Sequence, residues 1–358
     1  LDYAPDHAVG VPFFGIRRAW NRLLEAGLRA ITRFRGIGRF HDPMKYFGPG
    51  GLSEARRLCA AVHRDPAGYF LPDPDAPARN VKAVRRVDRE KRVVEDLFFD
   101  SPAPSGRHRN DRVQLRLFRH HNTVGMKRVV FFHHPTYQDK WRLWEWFLAP
   151  LIAHVPVAFM TGPNHDGRVE PDDFPGEWTV NPNVHTLYRS IRQWCWDQQA
   201  AVNLLRERFG LEPAAISGFS VGAFQSILLA GLGGTDLPIV AIACTNRYAF
   251  GLLHGVIGPP VIKAMGRAGV TPAILEEMAE SMQLERYAPA LRGRNILMIR
   301  GLFDEVDPPP SLQRLEEALR PSRILRIPTG HGTLVFHRKA VMDETLLFLE
   351  ELGILRAE

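Results

Sequence analysis

Ile216-Ser217-Gly218-Phe219-Ser220-Val221-Gly222 sets a serine between two glycines where an apolar run gives way to a helical one. In a Gly-x-Ser-x-Gly turn the serine occupies a sharp strand-to-helix bend, and the glycines remove Cβ atoms that would clash there. A chain with 30 glycines produces such pentapeptides in loops by chance, so the flanks decide the reading. Pro213-Ala214-Ala215-Ile216-Ser217 before it has the length of a buried strand. Ala223-Phe224-Gln225-Ser226-Ile227-Leu228-Leu229-Ala230 after it repeats apolar residues at helical spacing. Strand, serine and helix in that order make a nucleophile elbow.

A serine hydroxyl is a weak nucleophile until a base within hydrogen-bond reach takes its proton, and a third group must orient that base. Behind an elbow of this kind the acid and then the histidine follow along the chain. The stretch Arg294-Asn295-Ile296-Leu297-Met298-Ile299-Arg300 reads as a strand that breaks at Gly301-Leu302-Phe303-Asp304-Glu305-Val306-Asp307-Pro308. Asp304, three residues after the glycine, is the candidate acid, with Glu305 and Asp307 as rivals. Pro328-Thr329-Gly330-His331-Gly332 follows the last strand, and its two glycines let the loop bend His331 toward the serine.

On Gly218-Phe219-Ser220-Val221-Gly222, Gly301-Leu302-Phe303-Asp304 and Gly330-His331-Gly332, together with the order of elements, the chain resembles the α/β-hydrolase superfamily in its serine-nucleophile, esterase- and lipase-like branch. The resemblance covers roughly residues 90 to 355. It implies an α/β-hydrolase fold and a Ser220–His331–Asp304 triad, and it does not name a substrate. It also implies an oxyanion hole made by the N–H after the nucleophile, that of Val221, and one from the loop after an earlier strand. That loop reads Phe131-Phe132-His133-His134-Pro135-Thr136 rather than the common His-Gly-x. With His133 in the place of the common histidine the donor would be Pro135, which has no N–H. A shift of one residue gives an x-Pro-Thr loop similar to dehalogenase-like and epoxide-hydrolase-like members, with His134 as donor and His133 in place of a glycine. Those relatives use an aspartate nucleophile, so Ser220 implies no dehalogenation.

Working outward, residues 1–90 are expected to form a helical N-terminal extension and residues 91–358 the catalytic domain. Arg17 to Arg35 has the spacing of a basic amphipathic helix. The favoured reading packs it on the main domain with its arginines in solvent, and the rival is peripheral contact with an acidic membrane surface. A second helix is expected from Ser53 to His63, then an irregular linker at Leu71-Pro72-Asp73-Pro74-Asp75-Ala76-Pro77. A hairpin at 93–99 and 112–118 opens a run of strands and helices in alternation, which predicts a mainly parallel sheet covered on both faces. Gly162 to Asn183 is expected to rim the site, and residues 246–292 to form a small cap over an apolar pocket. Phe219, Tyr137, Phe250 and Leu253 are the candidate pocket residues.

Composition bounds the rest. At 358 residues and 45% hydrophobic, one main domain with insertions is expected. A formal charge of +7 with arginines spread along the chain and no nucleic-acid fold signature speaks against nucleic acid as a partner. Three cysteines, Cys59, Cys195 and Cys244, make neither an even disulfide set nor a ligand spacing, and no signal peptide is visible, so the expectation is cytoplasmic. His120-His121 and His133-His134 do not suit a metal, since neighbours in a strand face opposite ways. No cofactor is expected. The expected activity is cleavage of a carboxylic ester, small-molecule or lipid-like, through an acyl-enzyme. Acyl transfer or thioester cleavage on the same fold, and a membrane-associated binding module without activity, are the alternatives.

Overall fold

The computed structural model describes residues 15, 18–20, 22–24, 43–87, 92–136, 141–254 and 258–355. Among them nine strands build one sheet: β1 (Arg79–Val87), β2 (Val93–Asp100), β3 (Arg112–Arg119), β4 (Arg128–His133), β5 (Val157–Met160), β6 (Glu212–Phe219), β7 (Ile239–Ile242), β8 (Ile296–Gly301) and β9 (Arg323–Ile327). Their order in space is β1-β2-β3-β5-β4-β6-β7-β8-β9. β1, β2, β3 and β5 pair antiparallel, and from β5 to β9 every neighbour is parallel.

The parallel strands read as unbroken apolar runs because both faces are covered. In β4, Val129 and Phe131 enter one core while Val130 and Phe132 enter the other; in β8, Ile296 and Met298 part from Leu297 and Ile299 in the same way. The first core is closed by the helices Val184–Phe209 and Val221–Gly231, through Leu187, Ile191, Trp194, Phe224 and Ile227. The second is closed by the helices Trp141–Ile152 and Arg338–Glu351, through Trp144, Phe147, Leu151, Met342 and Phe348. The long helix starts at Asn183, whose side chain accepts from the His185 N–H, and stops at Gly210 with φ of 61°, a left-handed C-terminal residue that glycine adopts without strain.

The N-terminal part departs from a purely helical extension. Helices at Pro43–Phe47, Gly51–Arg64 and Pro66–Phe70 press Tyr46, Cys59, Val62 and Phe70 onto the first core. Then Arg79–Val87 joins the sheet as its edge strand, β1, so the sheet begins inside the stretch expected as an extension. Residues 82–85 are exposed; the strand is held by its backbone ladder rather than by apolar burial, which is why alternation gives no signal. Its arginines and lysine also suit an open edge. The proline-rich stretch before it is tied down by Asn203, whose side chain donates to Pro74 O and Ala76 O. Of the expected helix at 17–35, residues 18–20 and 22–24 are helical and the remainder lies outside the described residues.

The expected cap contains helices Tyr248–His254, Gly258–Arg267, Pro272–Met278 and Ala288–Leu291. It is bound to the N-terminal helices: the His63 ring meets Ser281 Oγ at 2.7 Å, and Arg56 pairs with Glu277 at 2.6 Å. The expected helix from Thr333 divides into a 3-10 turn, Gly332–His337, and the helix Arg338–Glu351. Among the described residues no helix is long and apolar enough to cross a membrane.

Candidate active site

Ser220 sits between the end of β6 and the start of the helix Val221–Gly231, at φ 56° and ψ −117°. A non-glycine residue at this positive φ has a strained backbone that the surroundings must enforce. Two bonds do so: the Ser220 N–H donates to Ile242 O at 2.8 Å, and Ser220 O accepts the Phe224 N–H at 2.9 Å. The flanking glycines are required by contact. A Cβ on Gly218 would lie 2.3 Å from the Gly222 carbonyl carbon, and one on Gly222 would lie 2.2 Å from His133 O.

The three residues expected to act together are in hydrogen-bond contact. His331 Nε2 lies 2.8 Å from Ser220 Oγ, and His331 Nδ1 lies 2.7 Å from Asp304 Oδ2. A carboxylate accepts only, so the ring proton stands on Nδ1 and Nε2 is left to accept from the serine hydroxyl. Asp304 is held in turn, its Oδ1 accepting the N–H groups of Val306 at 2.9 Å and Asp307 at 3.0 Å. The loops bearing acid and base are joined by Phe303 N–H to Thr329 O, 2.9 Å. A Cβ on Gly301 would stand 2.4 Å from that same Thr329 oxygen, so the glycine that ends β8 is there for close approach. Thr333 Oγ1 accepts the Gly330 N–H at 2.9 Å and fixes the histidine loop from below.

The rival carboxylates point elsewhere. Glu305 Oε1 takes Arg22 Nε at 2.9 Å. Asp307 is fully buried, with Oδ2 accepting the Asn246 N–H; burial, with the Asp304 charge adding to it, raises its pKa to about 7.

Where the resemblance implies an oxyanion loop, β4 lies parallel to β6 with His133 opposite Gly218, so the chain leaves β4 level with the elbow. Val221 opens the helix behind Ser220. His134 is fully buried, and its side chain has a role the sequence does not reveal. Its Nε2 accepts the Gly162 N–H at 2.7 Å, which puts the ring proton on Nδ1, 2.7 Å from Pro135 O. Burial drives the pKa of His134 well below its ordinary value, that of His133 to about 3 and that of the adjoining His165 to about 4.

The insertion expected to rim the site is instead largely buried. Arg168, without solvent exposure, donates to Asn110 O, Thr161 O and Asp197 Oδ2 at 2.7–2.8 Å. Farther along, the hydroxyls of Thr179 and Thr136 stand 3.2 Å apart, so the insertion braces the loop that carries His134. No sequence spacing signals these partners; a lone arginine in a polar segment is the sole hint.

Of the pocket candidates, Phe219 is buried, its ring perpendicular to that of His331 at 6.2 Å and packed on Trp144 at 5.3 Å. Leu253 is half-buried, in the helix Tyr248–His254, against the first core. Phe250 lies in the helix Tyr248–His254, and Tyr137 is outside the described residues. A cavity of about 390 Å³ lined by Lys45, Trp178 and Arg189 among others touches none of the three residues of the hydrogen-bonded chain. Among the described residues no group of three or more His, Cys, Asp or Glu could hold a metal ion.

No protein-family model matches the chain, and no curated protein does. Solved structures do. The chain is similar to the acetyl xylan esterase from Paenibacillus sp. R4 at 17% identity and a TM-score of 0.57, over 83% of this chain and 92% of that one. It is similar to acetyl xylan esterase 1 from Thermoanaerobacterium sp. JW/SL YS485 at 13% identity and a TM-score of 0.55, over 84% and 96%. A cold-adapted esterase from an Arctic intertidal metagenomic library matches at 14% identity and a TM-score of 0.51, over 75% and 96%. The nine-stranded sheet is that of the α/β-hydrolase fold.

Proposed function

We propose that the protein is a serine hydrolase that cleaves a carboxylic ester through an acyl-enzyme. The observation that carries the proposal is the unbroken chain Ser220 Oγ, His331 and Asp304, at 2.8 and 2.7 Å, on a serine whose strained backbone is enforced by its neighbours. Ser220 Oγ attacks the acyl carbon as its proton passes to His331 Nε2. Asp304 accepts the hydrogen bond from Nδ1–H throughout and stabilises the imidazolium. The N–H groups of Val221 and His134 hold the oxygen that gains charge. His331 then protonates the leaving alkoxide as the ester C–O bond breaks, and the alcohol departs. Water attacks the acyl-enzyme, giving its proton to His331, and the acid leaves as the serine is restored.

Three of the solved structures that the chain resembles are named as esterases, which favours esters as the first class to assay. A fluorophosphonate probe is expected to label Ser220, as read by peptide mapping, and p-nitrophenyl esters of rising chain length are expected to turn over. Ser220→Ala abolishes both. An adduct on another residue, or undiminished turnover in the variant, overturns the assignment.

A further inference from the structure

Among the described residues nine large apolar side chains are exposed, and six of them lie on three segments that each adjoin a loop of the candidate site; the other three, Val84, Val124 and Leu347, lie off these segments. Trp20, Leu23 and Leu24, 61%, 67% and 37% exposed, lie on the short helical stretch that Arg22 holds to Glu305, the neighbour of Asp304. Leu143 and Trp146, 47% and 45% exposed, lie on the helix that follows the His134 loop. Phe336, 63% exposed, lies on the 3-10 turn that begins directly after His331. Contacts join the three. The acid loop bonds to the histidine loop through Phe303 and Thr329, and beyond Phe336 the Arg338 guanidinium covers the Trp146 ring at 4.8 Å.

Single exposed apolar residues are ordinary, whereas a tryptophan, a phenylalanine and leucines gathered around a site mark a surface that meets something apolar. The charge around them says what. Arg18, Arg142 and Arg338 lie within two residues of Trp20, Leu143 and Phe336, with Arg338 over the Trp146 ring, while the acidic groups Glu305, Glu145 and Asp343 are balanced by Arg22, Arg116 and Lys339. Aromatic and leucine side chains with arginines beside them match an interface of acyl chains beneath anionic headgroups.

We propose that this face docks on an anionic phospholipid surface and presents the Ser220 site to an ester held there. The docking stands on the surface alone; its meaning as delivery of a lipid-like ester rests on the hydrolase reading.

Full-chain Ser220→Ala, which cannot turn lipid over, is floated with vesicles of phosphatidylcholine with and without phosphatidylglycerol. Recovery with the anionic vesicles, lost at high salt, is the expected result. Trp146→Ser combined with Phe336→Ser, in the same background, is expected to weaken recovery by roughly tenfold or more. The same pair in the Ser220 background is expected to keep fluorophosphonate labelling, which shows that the fold persists. Equal recovery on neutral and anionic vesicles, no recovery on either, or recovery unchanged by the two substitutions overturns the proposal. So does self-association that the pair abolishes in the absence of any vesicle binding, which would make a second copy the occupant. Failure of the serine to label, with flotation intact, would sink the hydrolase reading and leave the docking standing.

Discussion

Replacing Asp307 with asparagine is expected to remove a pH-dependent instability built into the wall of the site. The carboxyl has no solvent exposure, accepts the Asn246 N–H, and lies beside Asp304, Cys244 and His331. Burial raises its pKa from 3.8 to about 7. Below about pH 4 the carboxyl is protonated in both folded and unfolded chains and contributes nothing. Between about pH 4 and the folded pKa, the unfolded chain has released a proton that the folded chain keeps, so each pH unit of rise costs the fold about 1.4 kcal/mol. Once both states are ionised the accumulated cost is roughly 4 kcal/mol. The substituted amide keeps an oxygen for the Asn246 N–H and cannot ionise. Any fixed cost of burying that amide cancels when the two chains are compared at two pH values. From urea unfolding at about pH 5 and about pH 8, the stability of Asp307→Asn relative to the unaltered chain is expected to rise by about 3 kcal/mol. A relative stability that stays the same at both pH values would refute the argument, because it would mean that Asp307 titrates alike in the folded and unfolded chains.

Gly222→Ala inserts a Cβ 2.2 Å from His133 O, which forces the end of β4 away from the elbow and carries the His134 N–H out of place. A fall in kcat of roughly a hundredfold to a thousandfold is expected on p-nitrophenyl esters, the size of losing one oxyanion donor, with KM changed far less. Asp197→Ala strands the Arg168 guanidinium, as both side chains have no exposure and stand 2.8 Å apart; a loss of about 3–5 kcal/mol in urea unfolding is expected.

What the sequence discloses about the site is what short motifs control. Ser220, Asp304 and His331 each follow a strand end and stand close to a glycine, and at Gly218, Gly222 and Gly301 the glycine answers a backbone contact within 2.4 Å of where a Cβ would be. Local chemistry of this kind leaves a local trace. β1 leaves none, since it buries little and is held by a ladder to β2. The insertion at 162–183 misleads for another reason. Its polar composition is that of a surface loop, yet its polar groups are satisfied inside the protein by partners far along the chain, Asn110, Asp197 and Thr136. The difference between Asp304 and Asp307 is likewise made by distant groups, His331 for one and Asn246 for the other.

The His133-His134 pair shows how a departure from a familiar pattern is absorbed. A histidine where the resemblance implies glycine suggests crowding at the oxyanion loop. The close approach falls instead on Gly222, which meets the carbonyl of His133, while the His133 ring turns to stand edge-on to Trp194 at 5.6 Å. The side chain that a glycine would lack therefore fills the core, and the elbow supplies the missing room. His134 adds a clamp, its ring spanning Gly162 N–H and Pro135 O. A clamp that titrated near neutral pH would open and close with it. Burial lowers the pKa of His133 to about 3 and that of His134 well below its ordinary value, so both rings are neutral at neutral pH. These two rings therefore do not switch the loop near neutral pH, and a change of ester turnover with pH there reports other groups, Asp307 among them.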